Sequence, residues 1–156
     1  MKLFLSVFTN KVDKKGRVSV PAAFRQGLRS QDFQGIVAYP SFVNPCIEAC
    51  GFDRIARISE SIDNMDPYSE ERDAFATAIL GGCQQLSFDN DGRVLMTSEL
   101  TKAAKITDKA LFIGKGSTFE IWEPEIFAEY SNKAKDLAKK SRHMLRLVNN
   151  LKEGEK

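Results

Sequence analysis

A chain of 156 residues is long enough to bury a core, and it suits one domain or two small fused ones. Its 42% hydrophobic and 28% charged residues are globular proportions rather than those of a disordered chain. A net charge of +2 leaves partner choice to local charge rather than to the bulk field. That local charge is segregated. Residues 1–30 hold seven basic side chains (Lys2, Lys11, Lys14, Lys15, Arg17, Arg25, Arg29) against Asp13 alone, and residues 53–73 hold seven acids against three arginines. Residues 125–156 hold eight basic residues against five acids. Three cysteines, Cys46, Cys50 and Cys83, make an odd set for a disulfide framework. With His143 the single histidine, no zinc spacing exists, so the expectation is free, buried thiols in a reducing compartment and no metal. The apolar stretch from Leu3 to Phe8 is broken by Ser6 and too short for a secretory signal, and nothing approaches a membrane span. A soluble, cytoplasmic protein is expected.

Taken in chain order, the elements repeat. "VDKKGRVSVP" (12–21) places a turn between strand-like runs. Pro21 is suited to the first helical position before "AAFRQGL". "GIVAYPSF" (35–42) and "CIEAC" (46–50) read as strands, and "FDRIARISESI" (52–62) has helical spacing. A connector over 67–82 reads as a helix capped by Ser69, with Phe75, Ile79 and Leu80 on one face, ended by Gly81-Gly82. Then the order starts again. "FDNDGRVLMT" (88–97) is the same turn, Thr97 or Ser98 caps "ELTKAAK", and "KALFIGKG" (109–116), "FEIWE" (119–123) and "PEIFAEYSNKA" (124–134) complete the copy. The tail is helical by spacing from Phe127 to about Leu151, and the final "KEGEK" is expected to fray. Two diverged units of roughly seventy residues therefore account for the chain. The expected division is 1–62 for the first unit, 63–85 for the connector, 86–130 for the second unit and 131–156 for a basic helix and tail.

The repeated turn carries the chemistry. In D-x-x-G-R, glycine (Gly16 or Gly92) permits a positive φ. Aspartate (Asp13 or Asp89) accepts hydrogen bonds from the turn's own N–H groups, and the arginine (Arg17 or Arg93) pairs with that carboxylate. A tip bearing Lys14, Lys15 and Arg17 is rigid, projecting and positive. Such a tip suits a major groove, with arginine fitted to guanine and lysine to phosphate. "DNDG" (89–92) is not a calcium loop, because Arg93 stands at the fifth position and glycine at the fourth.

The paired "DKKGR…VP" and "DNDGR" motifs, "PCIEA", "ERDAFATAILGGCQQL" and "FEIWE" together resemble the MraZ family, over Phe4 to about Tyr130. The resemblance implies an α+β fold, a duplicated AbrB/MraZ-like swapped-hairpin β-barrel with peripheral helices and a C-terminal helix. It implies a bacterial DNA-binding transcription regulator of the division and cell-wall gene cluster, read here as a repressor. Such a protein assembles into a ring-shaped homo-oligomer on tandem promoter repeats of double-stranded DNA. It further implies nucleoid association, and DNA contact through Arg17 and Arg93.

The two turns are unequal. Asn90 and Asp91 replace Lys14 and Lys15, so the local charge is +2 over 13–17 and −1 over 89–93. Arg17 is expected to dominate and Arg93 to assist. Lys11 and Arg25 are further candidates for phosphate. Asp13, Gly16, Asp89 and Gly92 are expected to support the turns rather than read bases. Trp122 is expected in a core or subunit interface, and Glu48 and Glu120 are expected to be structural partners. No cofactor, small-molecule substrate or membrane is expected, and without a nucleophile motif or phosphate-cradling loop no enzyme is expected. The rival from another class is a protein-assembly module using the same basic turns on an acidic surface.

Overall fold

The computed structural model describes residues 3–148. The fold is mixed α+β with an antiparallel sheet, and each half follows the order strand, strand, helix, strand, strand, helix. The first half contains β1 (Val7–Lys11), β2 (Arg17–Ser19), α1 (Ala22–Gln26), β3 (Gly35–Pro40), β4 (Ile47–Cys50) and α2 (Phe52–Asp63). The second contains β5 (Gln84–Ser87), β6 (Arg93–Leu95), α4 (Ser98–Ala104), β7 (Lys109–Gly114), β8 (Phe119–Trp122) and α5 (Pro124–Lys140). Between them lies α3 (Glu70–Phe75), which continues into a π-helical turn, Ala76–Leu80.

The halves interleave. Six strands form one sheet in the order β1-β7-β8-β4-β3-β5, and β2 and β6 form a separate ribbon. β1 pairs with β7, β2 with β6, β3 with β5 and β4 with β8, so four of the six pairings cross between halves. The principal core gathers Val18, Val20, Phe24, Ile36 and Ile47 from the first half with Val94, Leu100, Phe112, Phe119 and Ile121 from the second. Phe24 is its aromatic centre, with ring centroids 4.9 Å from Phe119 and 5.3 Å from Phe4. A smaller apolar cluster holds Val37, Tyr39, Cys50 and Ile55.

The chain divides into two compact units, one reaching to Pro124 and the other starting at Glu125. In the second unit, Glu129–Lys133 and Asp136–Lys140 pair at i,i+4 along α5. Among the described residues no helix is long and apolar enough to cross a membrane.

Three local expectations change, and a choice between two caps is settled. Pro21 is the N-cap of α1 rather than its first residue, and its carbonyl accepts from Phe24 and Arg25. Of the two caps expected for α4, Thr97 serves, accepting from the Leu100 N–H at 3.3 Å. Ser69 caps α3 as expected, accepting from the Arg72 N–H at 3.1 Å, but Phe75 does not share the face of Ile79 and Leu80. Those two pack on the smaller cluster, whereas Phe75 is 37% exposed beside Phe42. The π turn inserts a wider step after Phe75, closed by Gly81 N–H donating to Ala76 O at 2.9 Å, and this shifts the helical phase. Finally, α5 ends at Lys140 and a 3₁₀ turn, Arg142–Met144, follows. Leu137, Leu145, Leu147 and Val148 are exposed, so no buried stripe sustains a longer helix. Residues 149–156, including Leu151 and the "KEGEK" end, lie outside the described residues.

Candidate nucleic-acid interface

The two D-x-x-G-R turns fold alike. Asp13 Oδ1 accepts from the N–H groups of Lys15 and Arg17, both at 2.9 Å, and Oδ2 accepts from Arg17 Nε at 2.7 Å. Asp89 Oδ1 accepts from Asp91 and Arg93 N–H at 2.9 Å, and Oδ2 from Arg93 Nε at 2.9 Å. Gly16 (φ +88°) and Gly92 (φ +75°) adopt the left-handed conformation that other L-residues resist. The backbone N–H bonds from Arg17 and Arg93, more than the ion pairs, hold the Asp13 and Asp89 carboxyls below the usual carboxylate range.

Each turn is also tied down by the other half. Val20 N–H donates to Gly92 O at 3.2 Å, and Met96 N–H donates to Gly16 O at 2.8 Å. The ribbon behind them is in register: Arg17 opposite Leu95, Val18 opposite Val94, Ser19 opposite Arg93. Val18 and Val94 are buried at 0% and 1% exposure. Strand alternation therefore turns Arg17 and Arg93 to the same outer face, one to either side of the valine pair. Apolar packing on one face of the ribbon fixes two guanidinium groups on the other.

Their environments differ. Arg93 also donates from Nη2 to Asp91 Oδ2 at 3.2 Å. Among the described residues, Arg17 has no second carboxylate, and it bonds Asp13 through Nε. Its outer nitrogens remain available for a bidentate contact. Lys14 and Lys15 are exposed at the same tip.

Arg25 lies elsewhere than the basic first turn. Its guanidinium sits over Gly92 of the second turn, where a side-chain carbon at Gly92 would approach Arg25 Cζ to 2.6 Å. Its Nη1 donates to Val20 O. Arg29, not among the candidates read from sequence, joins Arg25, Asp89, Asn90 and Asp91 around a concavity of about 430 Å³. The i,i+4 spacing of Arg25 and Arg29 was the available signal, but nothing local says that they serve the other half's turn. With them, the acidic second turn regains positive charge. Lys11 is exposed and pairs in register with Lys109 at the end of β1 and β7, which widens the basic surface.

The remaining candidates are structural. Trp122 is fully buried, and its Nε1 donates to Glu120 Oε1 at 2.8 Å. Glu48 faces Glu120 across β4 and β8 and accepts from Tyr39 and Ser41 hydroxyls at 2.9 and 2.7 Å. The cysteines are free. Burial pushes the Cys46 and Cys50 thiols up, Cys50 to about 12, so neither is a ready nucleophile. Among the described residues no group of three or more His, Cys, Asp or Glu could hold a metal ion.

Residues 79–147 match the family model described as "MraZ protein, putative antitoxin-like". The chain is 50% identical over 149 residues to the transcriptional regulator MraZ of Rickettsia canadensis (strain McKiel), covering 96% of this chain and 100% of that one. It is 51% identical over 150 residues to the protein of the same name from Rickettsia bellii (strain OSU 85-389), with the same coverage. It is 51% identical over 146 residues to that of Rickettsia africae (strain ESF-5), covering 94% and 98%. At half identity over nearly the full length of both partners, the chain belongs to the MraZ family.

Proposed function

We propose that this chain is a transcription regulator that binds double-stranded DNA sequence-specifically through Arg17 and Arg93. The observation that carries the reading is the β2–β6 ribbon, which presents both arginines on one outer face above the buried Val18–Val94 pair. Arg17 reads a base edge in the major groove, and Lys14 and Lys15 contact flanking phosphates. Arg93, held by two carboxylates, contributes less. Arg25 and Lys11 add phosphate contacts, while Asp13, Gly16, Asp89 and Gly92 hold the turns.

The fold is read as a duplicated swapped-hairpin barrel in which the ribbon closes the sheet. In support, the ribbon touches both β1 and β5, the two edge strands. The units are 1–62 and 86–130, with 63–85 as connector and 131–156 as a basic tail.

Two turns make few base contacts, so tight binding needs avidity. A ring of copies on tandem repeats upstream of the division and cell-wall genes supplies it without new contact chemistry. The protein then acts as a nucleoid-associated repressor.

The test is a mobility shift on the DNA upstream of the chain's own gene. Wild-type protein is expected to retard it, and Arg17→Ala to lose roughly tenfold or more of its affinity, about one bidentate base contact. Failure of the wild-type protein to bind that DNA, with retention on an acidic protein surface instead, would establish the assembly-module reading.

A further inference from the structure

The outer face of the ribbon carries two uncharged side chains between its arginines. Leu95 stands opposite Arg17, and Ser19 opposite Arg93. They occupy equivalent positions in the two copies of the turn, so the copies differ here by an apolar group against a hydroxyl. Leu95 is 57% exposed. A side-chain carbon at Gly16 would lie 3.6 Å from Leu95 Cδ1, so one methyl rests against the first tip while most of the side chain stays open. It shares a concavity of about 510 Å³ with Lys14, Lys15 and Thr101.

Covering Gly16 does not require an open leucine at the centre of a basic face. A base edge in the major groove offers one apolar group, the 5-methyl of thymine. An arginine–leucine pair in cross-strand register suits a guanine-type edge next to a thymine methyl. We propose that Leu95 is a specificity-determining residue that packs on a thymine 5-methyl beside the base contacted by Arg17. The second turn, with Ser19 at the equivalent place, reads no methyl. This rests on the DNA-binding reading above and says which step of an operator the first turn prefers.

The test uses the full chain and the DNA upstream of its own gene, with each thymine replaced in turn by deoxyuridine. That change removes the methyl and leaves pairing intact. Wild-type protein should lose roughly three- to fivefold in affinity at a defined thymine in each repeat, the size of one buried methyl. Leu95→Ala should bind the unmodified DNA with a similar loss and show no further sensitivity at that thymine. Leu95→Met should retain the sensitivity. A purely structural role for Leu95 would lower affinity for thymine and uracil operators alike and leave the methyl effect in place. That result, or a wild-type protein that binds the DNA but ignores every methyl, overturns the inference while the DNA-binding reading stands. A wild-type protein that does not bind the DNA at all overturns both.

Discussion

Each turn aspartate divides its two oxygens between tasks: one closes the backbone of the turn and the other holds an arginine. Arginine readout needs a guanidinium that is fixed before DNA arrives, because side-chain freedom lost on binding subtracts from affinity. Arg17 meets that need with its outer nitrogens free, and Arg93 loses one to Asp91. Affinity measurements should therefore rank Arg17→Ala well below Arg93→Ala, and Asp91→Asn should tighten binding severalfold by removing a charge that repels phosphate. Equal losses from the two arginine variants would remove the asymmetry. The carboxyls set a pH limit as well. Their native pKa values are depressed, so the ionised form is favoured by folding. The turn's contribution is fully present above the ordinary value of 3.8 and is lost as pH falls through the lower native value. Carboxyl carbon titration by NMR should give midpoints below 3.8 for Asp13 and Asp89.

Among the elements, the β2–β6 ribbon depends most on distant residues. Its strands are three residues each, too short to be stable alone, and the Val18–Val94 pair anchors them in the core. Val18→Ala and Val94→Ala should each cost about 1.5–3 kcal/mol in urea unfolding. The double variant should depart from additivity, because the two side chains face each other in register. The same element marks where sequence stops being informative. The D-x-x-G-R turn was legible because every partner lies within five residues, and the Ser69 cap was legible for the same reason. The order of elements followed from recurring periodicity. That β2 pairs with β6, and that Arg25 lies on Gly92, was not legible, since neither local spacing nor propensity encodes a partner in the other copy. The early end of α5 escaped for a different reason. Apolar residues at helical spacing promise a buried face, and Leu145, Leu147 and Val148 have none.

For the molecule as a whole, near-neutral net charge conceals local clusters of basic residues. Residues 1–30 put Lys14, Lys15 and Arg17 at one tip and send Arg25 and Arg29 to the other. DNA binding should therefore fall steeply with salt despite a net charge of only +2. Plotted as log affinity against log salt, the slope should be about −0.9 for each phosphate neutralised. Lys14→Ala and Lys15→Ala should each flatten it by about one without changing which sequence is preferred, whereas Arg17→Ala should change the preference. A shallow wild-type slope would mean that the basic tips do not face the nucleic acid.

The crossing of halves also has a consequence during synthesis. β1 is made before its hydrogen-bonding partner β7, and their register runs from Lys109 opposite Lys11 to Ile113 opposite Val7. Ribosomes add roughly 5–20 residues per second, so the strand has to wait roughly 5–20 seconds for its partner to be made. Through that interval Phe4 and Phe8 lack the second-half core residues that they pack with in the finished fold. Stalled chains released before residue 109 should therefore be captured by holdase chaperones and cleared by proteases, while chains extended past Trp122 should escape both.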